Sequence, residues 1–279
     1  NISQNKNEIL ELPENKNDEL YTFGNKNYAY SVMMGDPLGS FYGYRYKGVY
    51  QNVEETYAVN TSGQRILDID GNPVVMKNGD QKVYPGDARY EDVNGDGVID
   101  ENDIVYLGNS NPTLTGGLNF TLRYKKVSLV AAFHGRAGQK VINQARMDME
   151  NMRGKNNQSV AVLRRWRSEG DDTDIPRALY DKGYNYLGSD RFVEDASFLR
   201  LKTVSLEDRM PAKGMKAIGV NKLELYATGY DMFVWTKYKG QDPEVNLKAA
   251  NDGTVAQVAI DSNNTPKPFK IAFGLNLNF

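Results

Sequence analysis

The stretch IAFGLNLNF, Ile271 to Phe279, decides how the rest of the chain is read. Its odd positions are apolar (Ile271, Phe273, Leu275, Leu277, Phe279), whereas its even positions are small or polar (Ala272, Gly274, Asn276, Asn278). Successive strand side chains point to opposite faces, so this is a ribbon with one greasy and one wet face, ending on an aromatic residue. About nine to eleven tilted residues cross a bilayer as a strand, with lipid outside and a polar lumen inside. The pattern and length are those of a last barrel strand. An edge strand of a soluble sandwich alternates in the same way, so the neighbouring sequence has to separate the two.

Working outward, LNFTLRY sets Leu118, Phe120, Leu122 and Tyr124 on one face. Lys125 and Lys126 make a turn, and VSLVAAFHG returns with Val127, Leu129, Ala131 and Phe133 on one face. SFLRLKTVS (197–205), KLELYAT (222–228) and MFVWTKY (232–238) read as further strands. Towards the amino terminus, a strand to about Leu12, a polar turn over Asn15, Asn17 and Asp18 and a strand Asn27 to Met33 are expected. An aromatic strand follows whose Tyr42, Tyr44, Tyr46 and Tyr50 share a face suited to an interface or to sugar stacking. The span Val53 to Asp87 reads as a turn-rich excursion outside the sheet. Helical spacing of Val141, Ile142, Ala145, Met149 and Met152, then Val160, Leu163 and Trp166, predicts two short helices in one long loop over 139–168, a plausible lid. The reading yields about ten strands, joined by loops far longer than the usual four to six residues. A two-residue turn at one end and long insertions at the other is the asymmetry of an outer-membrane barrel, and loops of that kind carry function.

Composition excludes several classes. Lys plus Arg is 34 and Asp plus Glu is 36, a balance of -2 that gives no reason to expect nucleic acid. No apolar run is long enough for a membrane-spanning helix, which leaves a barrel open because half of each barrel strand is polar. Eighteen tyrosines suit the interfacial girdles of such a barrel. The chain has no cysteine, so disulfides, thiolate metal sites and cysteine nucleophiles are all excluded. NISQNKNEIL carries no signal peptide, and a start without Met inside a strand reads as a processed or truncated piece. His134 is the single histidine and lies in a strand, while the carboxylates fall mostly in turns; no enzyme is expected.

DVNGDGVIDEND, residues 92–103, is the most specific short motif. A calcium loop of the EF-hand type takes side-chain oxygens at positions 1, 3 and 5, Gly at 6, a backbone carbonyl at 7, a water-bridging residue at 9 and a carboxylate at 12. Asp92, Asn94, Asp96, Gly97, Val98, Asp100 and Asp103 fill those places in type. Asp103 is one methylene shorter than the usual Glu, and PGDARYE before the loop does not read as an entering helix. A structural Ca2+ that ties off a long loop is expected.

Several stretches in order, GDPLGSFYGYRYKGVYQ, PGDARYEDVNGDGVIDEND, NPTLTGGLNFTLRYKKVSLVAAFHGRAG, RRWRSEGDDTDIPR, VEDASFLRLKTVSL, TKYKGQDPEV and GLNLNF, resemble the carboxy-terminal part of a SusC/RagA-type TonB-dependent outer-membrane transporter. SLEDRMP at Ser205 and the pair Tyr230 and Asp231, where a Gln-Asn pair is usual, depart from the pattern. The resemblance implies an all-β transmembrane antiparallel barrel of about twenty-two strands with a plugged lumen, of which residues 1–279 supply the later strands. It implies import of an oligosaccharide or peptide across the outer membrane of a Gram-negative bacterium. The partners it implies are the amino-terminal plug and barrel portion of the same transporter, a SusD-like surface lipoprotein, and TonB through the missing part. Phe279 would be the barrel-assembly signal. The alternative is a secreted calcium-dependent carbohydrate-binding or adhesion module that uses the Tyr42 face as its platform.

Overall fold

The computed structural model describes residues 1–12, 21–22, 28–30, 33–211, 219–249 and 257–279. The expected turn over Asn15, Asn17 and Asp18, and part of the expected strand Asn27 to Met33, lie outside them.

Six strands form one sheet: β1 (Ile2–Gln4), β2 (Leu114–Tyr124), β3 (Val127–Ala137), β4 (Phe198–Pro211), β5 (Lys222–Thr236) and β6 (Lys270–Asn278). Each pairs antiparallel with the next in chain order, so the wall is a meander without crossovers. The 11 residues of β2 rise about 36 Å at about 3.3 Å each, enough to cross a bilayer when tilted. Lys125, at φ 54°, and Lys126 close β2 onto β3 at one end. At the other end lie the long connections 5–113, 138–197 and 237–269.

Register sorts the side chains into two faces. One row runs across the wall from Leu122 to Leu129, Leu206, Ala227 and Phe273. These side chains turn outward, Phe273 being 81% exposed, and among the described residues no other segment covers them. On the same face Phe120 stacks on Phe133 and Phe133 on Trp235, both at 6.4 Å, with Phe233 beside Trp235. The adjacent row, Thr121, Val130, Ser205, Thr228 and Ala272, belongs to the opposite face. There Ser205 and Thr228 hydroxyls meet at 2.8 Å, and Arg209 donates to Glu224 at 2.9 Å. Tyr226 lies over Gly274, a position where a Cβ would strike the ring. Large apolar residues outward and hydrogen-bonded polar ones inward is how a barrel wall must be built, because lipid cannot satisfy a polar group.

Three expectations are corrected. The separate strands 222–228 and 232–238 are one strand, β5, in which Asp231 takes φ 49° beside a register shift against Leu201 and Thr203. The residues Gly229 to Asp231 that join them form a bulge. The tyrosine strand is two strands, Ser40–Gly43 and Tyr46–Val49, because Tyr44 leaves the ladder to donate its N–H to Gly188 O. Tyr42, Tyr44 and Tyr50 are buried, so they form no exposed stacking platform. Val141 and Ile142 belong to a strand, Lys140–Ile142, paired with Val193–Asp195; the helix α1 is the shorter Gln144–Glu150, and Val160–Arg164 is a 3-10 turn.

The long connections pack into one body on the wall. Tyr44, Tyr50, Met76, Tyr90 and Ile99 from the first surround Leu187 from the second. Tyr28 and Phe41 meet Ile142, Met147, Phe192 and Val258, and Val141 and Ala196 meet Tyr238, Val245 and Ala259. Each of the three segments therefore contributes to cores it could not close alone. The helix α1 is held inside this body: Arg146 pairs with Glu150 at 2.9 Å and Glu194 at 3.1 Å, and Arg191 with Glu150 at 3.0 Å.

Candidate metal loop and charged clamp

The acidic loop 92–103 enters from the strand Ala88–Tyr90 and leaves through the 3-10 turn Glu101–Asp103, so neither flank is an α-helix. Its side chains fold back on its own amides. Asp92 accepts from Gly95 and Gly97, Asp96 from Val98, and Asp100 from Asn102, at 2.7 to 2.8 Å. Gly95 and Gly97, at φ 72° and 85°, supply the left-handed turns the loop requires. Asp103, fully buried, ties the two ends by accepting from Val93 at 2.7 Å and Asp100 at 2.9 Å. Lys77 N–H donates to the Gly97 carbonyl and Gly79 N–H to that of Ile99, while the Val98 carbonyl between them is left out of the ladder.

The electrostatics are one-sided. Burial raises the pKa of the Asp103 carboxyl, and Asp92 adds to this against the lowering by the Asp100 and Val93 amides. Burial, followed by the charges of Asp103 and Asp100, pushes the Tyr44 phenol up to about 12. Among the described residues, no three His, Cys, Asp or Glu side chains are drawn together as metal ligands. Of the expected ligands, Asn94 and Asp96 touch each other, at 2.8 Å, while the other side chains engage the backbone.

A second charged site joins the wall to the loops. Arg200 of β4 is 2% exposed on the polar face; its guanidinium reaches Asp242 at 2.6 Å, Glu244 at 3.4 Å and Asp231 at 4.0 Å. Lys202 reaches Asp231 at 3.2 Å and Glu244 at 3.8 Å, and Lys267 pairs with Glu244. Three cations and three anions close a neutral cluster from β4, the β5 bulge and the connection 237–269. Burial raises the Glu244 pKa, but the bond from Lys267 and the charges of Lys202 and Arg200 outweigh it, leaving the carboxyl below its ordinary value. Sequence reading passed over this clamp. Its one local signal is a lone arginine among Phe198, Leu199 and Leu201 in an otherwise apolar strand start. His134 stands edge-on to Phe198 at 5.8 Å, a packing contact.

The two-faced meander, with a short turn at one end and a folded loop body at the other, defines a segment of a transmembrane antiparallel β-barrel. No family model matches the chain. Its whole length aligns at 33% identity with TonB-dependent receptor P26 of Formosa agariphila, at 28% with receptor P3 of the same organism, and at 25% with the TonB-dependent receptor SusC of Bacteroides thetaiotaomicron. It spans only 26%, 26% and 24% of their lengths. Among solved structures it superposes over its whole length on the RagAB peptide importer in its closed-closed state, with a TM-score of 0.67 at 24% identity, covering 26% of that chain. A further RagAB peptide transporter structure gives 0.69 at 23%, again covering 26%. In sequence the chain is related along its whole length to TonB-dependent receptors, SusC among them, and in fold to the RagAB transporter; these relatives are receptors and transporters rather than enzymes.

Proposed function

We propose that this chain forms the later wall strands and outer loops of a TonB-dependent importer of a large nutrient, an oligosaccharide or a peptide, in the outer membrane of a Gram-negative bacterium. The observation that carries this is the wall itself. A continuous row such as Leu122, Leu129, Leu206 and Phe273 that no described segment of the chain covers has no place in water. Among the described residues the outer strands β1 and β6 have no second neighbour, which supports a wall completed by an amino-terminal plug and barrel portion. A SusD-like lipoprotein over the loop body, and energy from TonB through the part outside this chain, complete the reading. Phe279, 75% exposed at the end of β6, is proposed as the assembly signal.

Extraction of the native membrane with mild detergent, followed by mass spectrometry, tests it. Recovery with plug-and-barrel sequence and a surface lipoprotein is the expected result. Recovery as a folded monomer in the aqueous fraction would overturn the assignment.

The loop 92–103 is proposed to hold a structural Ca2+. Asp92, Asn94, Asp96, Asp100 and Asp103 with the Val98 carbonyl are all oxygen donors, as a hard cation prefers. Support comes from the one-sided negative charge and from the Val98 carbonyl left out of the ladder. Binding requires the Asn94 amide to leave Asp96 and the carboxylates to turn inward from their amides. Replacing Asp92 and Asp96 together by Ala, or adding chelator, is expected to increase proteolysis between residues 80 and 110. An unchanged cleavage pattern under both treatments would remove the metal site.

A further inference from the structure

We infer that Asp208 of β4 and Lys125 of the β2–β3 turn form a clip for the headgroup of an aminophospholipid, the carboxylate taking its ammonium and the lysine its phosphate. This rests on reading the outward face of the wall as its lipid face, and it adds a ligand that a barrel wall does not by itself require. Asp208 lies in SLEDRMP, the stretch that departs from the resemblance. Register turns it outward. It stands two residues beyond Leu206, pairs with Val127 of β3 and Leu225 of β5, and so shares the face of Leu129 and Phe273.

Among the described residues of β2 to β6, Asp208 is the one charged side chain on that face. Leu206 and Met210 flank it along the strand, and Val127 and Leu225 across it, so its frame offers the carboxylate nothing polar. Among the described residues it makes no hydrogen bond or ion pair. A carboxylate held among apolar side chains on a lipid-facing wall is costly, and such a group marks a partner.

Its depth identifies the partner. The row Tyr124, Val127 and Asp208 adjoins the turn Lys125–Lys126, at the end of the wall away from the loop body. Arg209 N–H donates to Lys126 O at 3.0 Å and fixes the turn against β4. Tyr124 is 70% exposed, a ring of the kind that stands at headgroup level. The Lys125 ammonium lies over it, 5.2 Å from the ring centre, which places that charge on the outward side. On β6 the same row reaches Leu275 with Leu277 and Phe279 still beyond it, so the row climbs into the wall away from the turn. Asp208 and the Tyr124 strand are two strand spacings apart, roughly 10 Å, which leaves room for a group between the two charges. A headgroup whose phosphate and ammonium are joined by an ethyl link supplies one opposite charge to each. Phosphate without an ammonium would satisfy the lysine and repel the aspartate, and a quaternary ammonium has no N–H to donate to the carboxylate.

The test uses the detergent-purified transporter and native mass spectrometry, with phosphatidylethanolamine, phosphatidylglycerol and phosphatidylcholine added singly at equal concentration. Phosphatidylethanolamine is expected to be retained about fivefold better than either of the others, the upper end for an exposed ion pair. Asp208→Asn, which keeps the shape of the side chain, is expected to abolish that preference and Asp208→Glu to keep it. Lys125→Ala is expected to weaken phosphatidylethanolamine and phosphatidylglycerol alike. Equal retention of the three lipids, a preference that survives in Asp208→Asn, or a carbodiimide cross-link from Asp208 to a lysine of another polypeptide would each overturn the clip. The membrane extraction above fails or succeeds independently: a transporter recovered with its plug-and-barrel portion but without the lipid preference loses the clip and keeps the import reading.

Discussion

Arg200→Ala is expected to free the connection 237–269 from the wall at a cost of about 3–5 kcal/mol, the range for removing one partner of a buried ion pair. Asp242 is 7% exposed and its Oδ1 accepts from Arg200 at 2.6 Å, so truncation leaves its charge facing Glu244 without the guanidinium between them. The Glu244 N–H and the Lys267 N–H still bind Asp242, and Lys202 still reaches Glu244, which keeps the loss finite. The measurement is thermal unfolding of the detergent-solubilised protein, with protease cuts mapped by mass spectrometry. New cuts between 237 and 269 are expected. Arg200→Lys should fall between, because an ammonium cannot span two carboxylates as a planar guanidinium does. Adding Asp242→Asn to Arg200→Ala should restore part of the loss.

The same clamp sets a pH direction. The Glu244 pKa is lower in the fold than in the open chain, so its contribution is present above the ordinary glutamate range. It is lost as pH falls through the folded value. Acid should therefore loosen this connection in the wild type and, because Lys267 and Lys202 still hold Glu244 without the guanidinium, in Arg200→Ala as well. An unaltered cleavage map in the variant at neutral pH would show that the clamp does not hold the loop.

What the sequence could and could not disclose follows from the range of each interaction. The alternation in 118–124, 127–133 and 271–279 is local, since a period of two needs only neighbours, and β2, β3 and β6 stand where it places them. The bulge in β5 was not legible, because Gly229 to Asp231 carries turn residues and only the register with Leu201 and Thr203 shows that the strand continues. The burial of Tyr44 and Tyr50 was hidden for a different reason. Their cover includes Leu187, well over a hundred residues away, and a tyrosine face destined for a core looks the same in sequence as one destined for a ligand. The Arg200 clamp is likewise a meeting of segments 42 residues apart. The acidic loop was legible in its ligand types, but not in their turning towards backbone amides.

Leu275→Arg and Asn276→Arg, one residue apart on β6, are expected to differ sharply. Leu275 pairs with Leu225 on the face carrying Leu206 and Phe273, and Asn276 pairs with Glu224 on the face carrying Arg209. If the first face meets lipid, Arg at 275 costs about 2–4 kcal/mol near the midplane, through the loss of a greasy contact and the burial of a charge in hydrocarbon. At 276 the same arginine enters a polar lumen beside Glu224, whose Oε2 lies 3.5 Å from the Asn276 amide, so the change is expected to be within about 0.5 kcal/mol. Unfolding in lipid vesicles, and the fraction of protein inserted, measure both. A soluble sheet predicts another result: Leu275 is already 58% exposed, and arginine on a water-facing strand would be tolerated as well as at 276. Equal tolerance at the two positions would remove the membrane from this face, and with it the wall on which the importer reading stands.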